Sequence, residues 1–125
     1  MSYLIVFLGA GIGGALRHGV NAASLRLFGG GFPVGTLFVN VAGSLLMGVI
    51  AGYFAFKGDA PQGWRLFMTT GILGGFTTFS AFSLDAALLY ERGALGQAAL
   101  YVLGSVALSL IGIALGLAII RFGLR

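Results

Sequence analysis

Three sets of polar residues recur inside otherwise apolar surroundings, and they are the groups in this chain able to do chemistry. Thr36, Asn40 and Ser44 stand at i, i+4 and i+8, and so do Tyr101, Ser105 and Ser109. Residues so spaced share one face of a helix. Between the stripes runs Gly71-Ile72-Leu73-Gly74-Gly75-Phe76-Thr77-Thr78-Phe79-Ser80-Ala81-Phe82-Ser83, with adjacent glycines followed by threonines and serines. Phe79 and Phe82, three apart, put two rings on one face, and a ring edge carries positive potential. Of the three acids, Asp59, Asp85 and Glu91, none falls within these runs, and Asp85 alone lies inside an apolar stretch, near the end of the third. A lining rich in N–H and O–H donors and poor in carboxylates suits a small anion, whose lost water must be replaced by close donors. Asn40 acting only as glue between helices would contribute about 0.6 to 2 kcal/mol. The two hydroxyls on its stripe favour a lining instead.

These residues need a membrane-spanning scaffold. Of 125 residues, 58% are hydrophobic and 8% charged, against about 25% charged in an ordinary soluble domain. About 20 apolar residues cross a hydrocarbon core of about 30 Å. Four apolar stretches, roughly 3–27, 33–56, 65–90 and 97–121, predict an all-α membrane protein of four helices in one domain, 1–125. The separators Gly29-Gly30-Gly31, Lys57-Gly58-Asp59-Ala60-Pro61 and Glu91-Arg92-Gly93 are short, so neighbouring helices run antiparallel. No basic segment precedes the first stretch, so it is expected to remain as a helix and not as a cleaved signal. The third stretch is expected to break near 74–78, because paired glycines and β-branched threonines make poor continuous helix. Broken backbone at that depth is tolerated only where it is buried or lines a cavity, and its freed carbonyls suit a hard cation such as sodium.

The remaining features exclude more than they suggest. The chain has no Cys and one His, which leaves little for metal clusters or paired acid–base catalysis and predicts a protein that is not an enzyme. A net charge of +4 comes from scattered cations, whereas a nucleic-acid footprint clusters them. Gly9-Ala10-Gly11-Ile12-Gly13-Gly14 matches G-x-G-x-x-G, but the first acid after it is Asp59, and a dinucleotide site wants one about twenty residues on. Glycines four apart, Gly9 and Gly13, Gly48 and Gly52, Gly71 and Gly75, Gly112 and Gly116, read instead as close-approach faces between membrane helices. Arg17 and Asn21 share a face of the first helix. Arg17 either snorkels to the interface or draws anions into a vestibule, and His18 beside it has no assigned role.

Lys57, Arg65, Arg121 and Arg125 lie on one side of the membrane, Arg17, Arg26 and Arg92 on the other. Four against three is a weak orientation bias, and copies inserting both ways up would allow an antiparallel homodimer.

The segments Gly13-Gly14-Ala15-Leu16-Arg17, Gly35-Thr36-Leu37-Phe38-Val39-Asn40 and Gly74 to Ser83 resemble the motifs of the CrcB/Fluc fluoride channels, in order and over nearly the whole chain. The resemblance implies an antiparallel dual-topology homodimer in the cell inner membrane or plasma membrane, with two pores that export fluoride passively and relieve its toxicity. It implies that Asn40 donates to fluoride and that Phe79 and Phe82 form an aromatic box of ring edges. Thr36, Ser105 and Ser109 would supply hydroxyls, with Tyr101 and Ser80 as further polar lining. It also implies a structural sodium at the dimer interface, held by the backbone carbonyls of Gly74 and Thr77 from each copy. Ala81 departs from the pattern, since many members carry Thr there. A small proton-coupled multidrug exporter would need a carboxylate in its first helix, and residues 1–58 contain none. A non-transporting scaffold subunit leaves the polar stripes without a purpose.

Overall fold

The computed structural model describes residues 1–58 and 61–123. Asp59 and Arg125, both counted above, lie outside the described residues. The helices are α1 (Ser2–Phe28), α2 (Val34–Lys57), α3 (62–76), α4 (Phe79–Glu91) and α5 (Leu95–Gly123). α3 and α4 form one broken span, so that four helical stretches among the described residues are long and apolar enough to cross a bilayer. With their large apolar side chains turned outward along every span, the chain is an all-α, multi-pass membrane protein.

Local chemistry sets the ends. α2 stops at Gly58, whose φ of 74° lies in the left-handed region and whose N–H returns to the Phe54 carbonyl at 2.8 Å. α4 ends before Gly93, at φ 83°. Only residues without a Cβ take these angles cheaply. Arg92 then donates to the Gly31 carbonyl at 2.6 Å, tying the third connection to the first.

α3 starts at Gln62 behind Pro61, earlier than its apolar run suggests, because Pro is well tolerated at a helix entrance. Its middle, Phe67–Leu73, winds as a π-helix, a form that concentrates near functional sites. At Thr77 and Thr78 the backbone turns extended, with φ/ψ of −91°/158° and −155°/125°. This is the break expected near 74–78.

The spans pair through their glycines. α1 lies on α3, where Gly9 and Gly13 meet Gly71, Ile72 and Phe76, and Gly75 meets Ala10. α2 lies on α5, where Gly48 and Gly116 face each other and Gly52 accommodates Ile120. Between apolar helices in lipid there is little hydrophobic drive, so backbone-to-backbone approach and dispersion supply the attraction. A small core of Phe82, Leu89 and Tyr101, flanked by Phe32 and Leu37, fastens α4 to α5 and to the first connection.

A Cβ on Gly13 would overlap the Ile72 carbonyl oxygen, while nothing lies within 4 Å of one on Gly11. Gly13→Val is therefore expected to lower stability by about 3 kcal/mol, and Gly11→Ala to leave it within about 0.5 kcal/mol. Thermal unfolding in detergent measures both.

Candidate functional site

The break is held by one side chain. Asn40, in the second turn of α2, accepts the Thr78 N–H on Oδ1 at 2.8 Å and returns Nδ2–H to the Thr78 carbonyl at 3.0 Å. An amide side chain here replaces a missing rung of backbone bonding. In a continuous helix the Thr78 N–H would serve the Gly74 carbonyl, so its diversion to Asn40 withdraws that donor from Gly74. The next carbonyl, Gly75, accepts Arg17 Nε–H from α1 at 3.1 Å. The Thr78 hydroxyl accepts the Ala81 N–H at 3.1 Å and caps α4, and the Thr77 hydroxyl donates back to the Leu73 carbonyl at 2.9 Å. A cap of this kind contributes about 1 kcal/mol.

Beside the break is a cavity of about 310 Å³ lined by Asn40, Ser44, Phe79, Phe82, Ser105 and Ser109, with Gly43, Met47, Thr77, Thr78, Val106 and Ile113 completing it. Among the described residues no carboxylate belongs to this lining. Asn40 has a second Nδ2–H beyond the one given to Thr78, since a side-chain amide carries two donors. Ser105 Oγ is buried with no hydrogen-bond partner. An orphaned buried hydroxyl costs about 1 to 3 kcal/mol, and this one belongs to a residue of the cavity wall. The Phe79 and Phe82 ring centroids are 5.4 Å apart at 50°. Phe82 is buried, whereas Phe79 is 77% exposed and Val106 50%, leaving one rim of the cavity open in the single chain.

A second cavity of about 340 Å³ lies toward the first connection, lined by Asn21, Ser24, Thr36, Ala81, Asp85 and Arg92 among others. Tyr101, expected as pore lining, has no exposed surface and lines neither cavity, but it touches a lining residue of each. Its ring sits 5.2 Å from that of Phe82 in the first cavity, and its hydroxyl donates to Asp85 Oδ2 in the second at 3.2 Å. Phe32 meets Tyr101 edge-on at 5.6 Å.

The structure thus brings Asn40, Phe79, Phe82, Ser105 and Ser109 together around one cavity. Thr36 faces the other cavity, so the first polar stripe passes from one to the next. Tyr101 donates its hydroxyl hydrogen bond to Asp85. Ser80 lines neither cavity and lies 3.3 Å from the Thr78 hydroxyl. Arg17 also lines neither, being engaged at Gly75. Sequence reasoning missed Asp85 as the Tyr101 partner and Thr78 as a cap. A Thr directly before an apolar helical run was the available signal for the cap.

Two substitutions separate scaffold from site. Asn40→Ala loses both Thr78 bonds and strands its amide, at an expected cost of about 2 to 4 kcal/mol in thermal unfolding. Ser105→Ala removes an unpaired hydroxyl and is expected to leave the unfolding temperature unchanged or slightly higher.

A family model described as CrcB-like protein, Camphor Resistance (CrcB), matches residues 4–117. Relatives include the fluoride-specific ion channel FluC of Rhodopseudomonas palustris strain BisB5, 67% identical over 121 residues that span 97% of this chain and 98% of that one. The fluoride-specific ion channel FluC of Methylobacterium nodulans is 64% identical over 121 residues, 97% of each chain. The fluoride-specific ion channel FluC 2 of Nitrobacter hamburgensis is 60% identical over 121 residues, 97% of this chain and 98% of that one. With its broken third span, its polar stripes and a match across nearly its full length, this chain belongs to the CrcB family.

Proposed function

We propose that the chain is a fluoride channel of the cell inner membrane or plasma membrane, through which the ion leaves passively and its toxicity is relieved. The observation that carries this reading is the acid-free cavity in which Asn40, Ser44, Ser105 and Ser109 meet the Phe79 and Phe82 rings. Relatives 60% to 67% identical, named fluoride-specific ion channels, support it. Fluoride is small and holds its water strongly, so a passage must offer several donors at short range. The free Asn40 N–H and the Ser105 hydroxyl are two such donors, and ring edges add positive potential without a fixed charge. A fixed cation would hold the ion; neutral donors let it go on. A negative-inside potential assists exit by about 2.3 kcal/mol per 100 mV.

The working unit in this reading is an antiparallel homodimer, two copies inserted in opposite senses within the lipid. Its support is the open rim at Phe79 and Val106, which a second copy would close, together with the near-balanced flanking charge. The carbonyls of Gly74 and Thr77 suit a structural sodium ion: Gly74 is exposed at mid-span, its helical N–H donor is drawn off by Asn40, and Thr77 is extended. Two carbonyls from each of two copies would give the ion four oxygens, with which it would hold the paired breaks in register. Tyr101 acts as a positioning residue, since its proton is committed to Asp85.

The test is fluoride efflux from proteoliposomes followed by electrode, with chloride as the control ion. Wild type is expected to release fluoride without a proton gradient. Ser105→Ala is expected to slow release by about 10- to 100-fold, the worth of one hydrogen bond to a charged group, and Phe79→Ile to slow it through loss of the ring edge. Asn40→Asp keeps an acceptor for the Thr78 N–H but repels an anion, and is expected to abolish flux. Efflux that requires a proton gradient would point to an exporter, and none at all to a scaffold.

A further inference from the structure

At the end of the molecule where α2 stops and α3 begins, an apolar groove of about 540 Å³ runs between α2, α3 and α5, lined by Ile50, Tyr53, Phe54, Trp64, Met68 and Ile120 among others. It shares no lining residue with either cavity described above. Its aromatic rings are partly exposed, Tyr53 at 42% and Trp64 at 59%, and such rings settle at the headgroup level of a bilayer.

One cation, Lys57, belongs to its lining, and a second, Arg65, lies against the lining residue Phe54. Lys57, the last residue of α2, holds Nζ 5.9 Å from the centre of the Tyr53 ring. Arg65, in the first turns of α3, holds its guanidinium 5.9 Å from the Phe54 ring. Arg65 spends one N–H on the Gly58 carbonyl at 3.2 Å, and its buried Nε has no acceptor. A guanidinium has five N–H donors; with Nε buried and one terminal N–H on Gly58, the other terminal N–H groups are left for an oxygen-rich ligand. Among the described residues no carboxylate belongs to the groove lining. The described acids, Asp85 and Glu91, sit on α4, away from it.

We propose that this groove binds an anionic phospholipid from the surrounding bilayer, with an acyl chain along Ile50, Met68 and Ile120 and the phosphate between Lys57 and Arg65. The combination decides the ligand class. A free anion would gain nothing from the apolar floor, and an uncharged hydrocarbon would leave the cations unmatched. The depth also fits, because both cations mark the ends of spans, where phosphates lie. Held there, the lipid bridges α2 and α3 across the second connection.

The test is native mass spectrometry of the purified protein with phosphatidylglycerol or phosphatidylethanolamine of matched chains. Wild type is expected to retain the anionic lipid about tenfold more, within what two basic residues at about 1 kcal/mol each supply. The preference should vanish in Lys57→Gln/Arg65→Gln, persist in Lys57→Arg/Arg65→Lys, and fall severalfold in the milder Lys57→Gln alone. Ile50→Trp, which fills the floor, should reduce retention of both lipids. Equal retention of the two lipids by wild type would overturn the proposal, as would a preference that survives Lys57→Gln/Arg65→Gln. Displacement of bound lipid by inorganic phosphate would assign the site to free anions instead. A change of oligomeric state in Ile50→Trp with lipid retention intact would assign the groove to a contact between copies.

Discussion

The reciprocal pair of hydrogen bonds between Asn40 and the Thr78 backbone is the constraint on which the site depends. Breaking a helix inside a bilayer strands amides and carbonyls where no water can reach them, at several kcal/mol for each group left unmet. Asn40 meets the stranded N–H and carbonyl of Thr78 with one side chain. It also fixes where α4 starts, so Phe79 and Phe82 face the same cavity that Asn40 lines. Structural clamp and candidate ion ligand are one residue, and its second N–H is what allows both.

Around this point the helices are held by closeness more than by chemistry. Gly9 and Gly13 bring α1 onto α3, and Gly48 and Gly116 bring α2 onto α5. The outer faces stay large and apolar because lipid covers them. Where two tight pairs meet they leave space, and the two cavities occupy it, with buried Tyr101 linking Phe82 of one to Asp85 of the other.

Much of this was legible in the residues. The four spans followed from hydropathy and length, and the break from Gly74-Gly75 and Thr77-Thr78. The stripes followed from spacing alone, since every fourth residue shares a helical face. How far each helix is rotated was not legible, because spans apolar all round carry no periodicity to set it. For that reason the division of Thr36 from Asn40 between two cavities could not be read. The reach of Arg17 to Gly75, 58 residues away, depends on a long flexible stem and a freed carbonyl. The π-helical winding of Phe67–Leu73 leaves no compositional mark. Asp85 was noticed as an acid, but only the structure supplies its donor, Tyr101.

The account turns on a passage that accepts a small anion by direct donation from neutral groups. Current across a planar bilayer containing the purified protein, with opposed fluoride and chloride gradients, measures this most directly. The account predicts a reversal potential at the fluoride equilibrium value. A reversal that follows chloride, or one that follows protons, would contradict it.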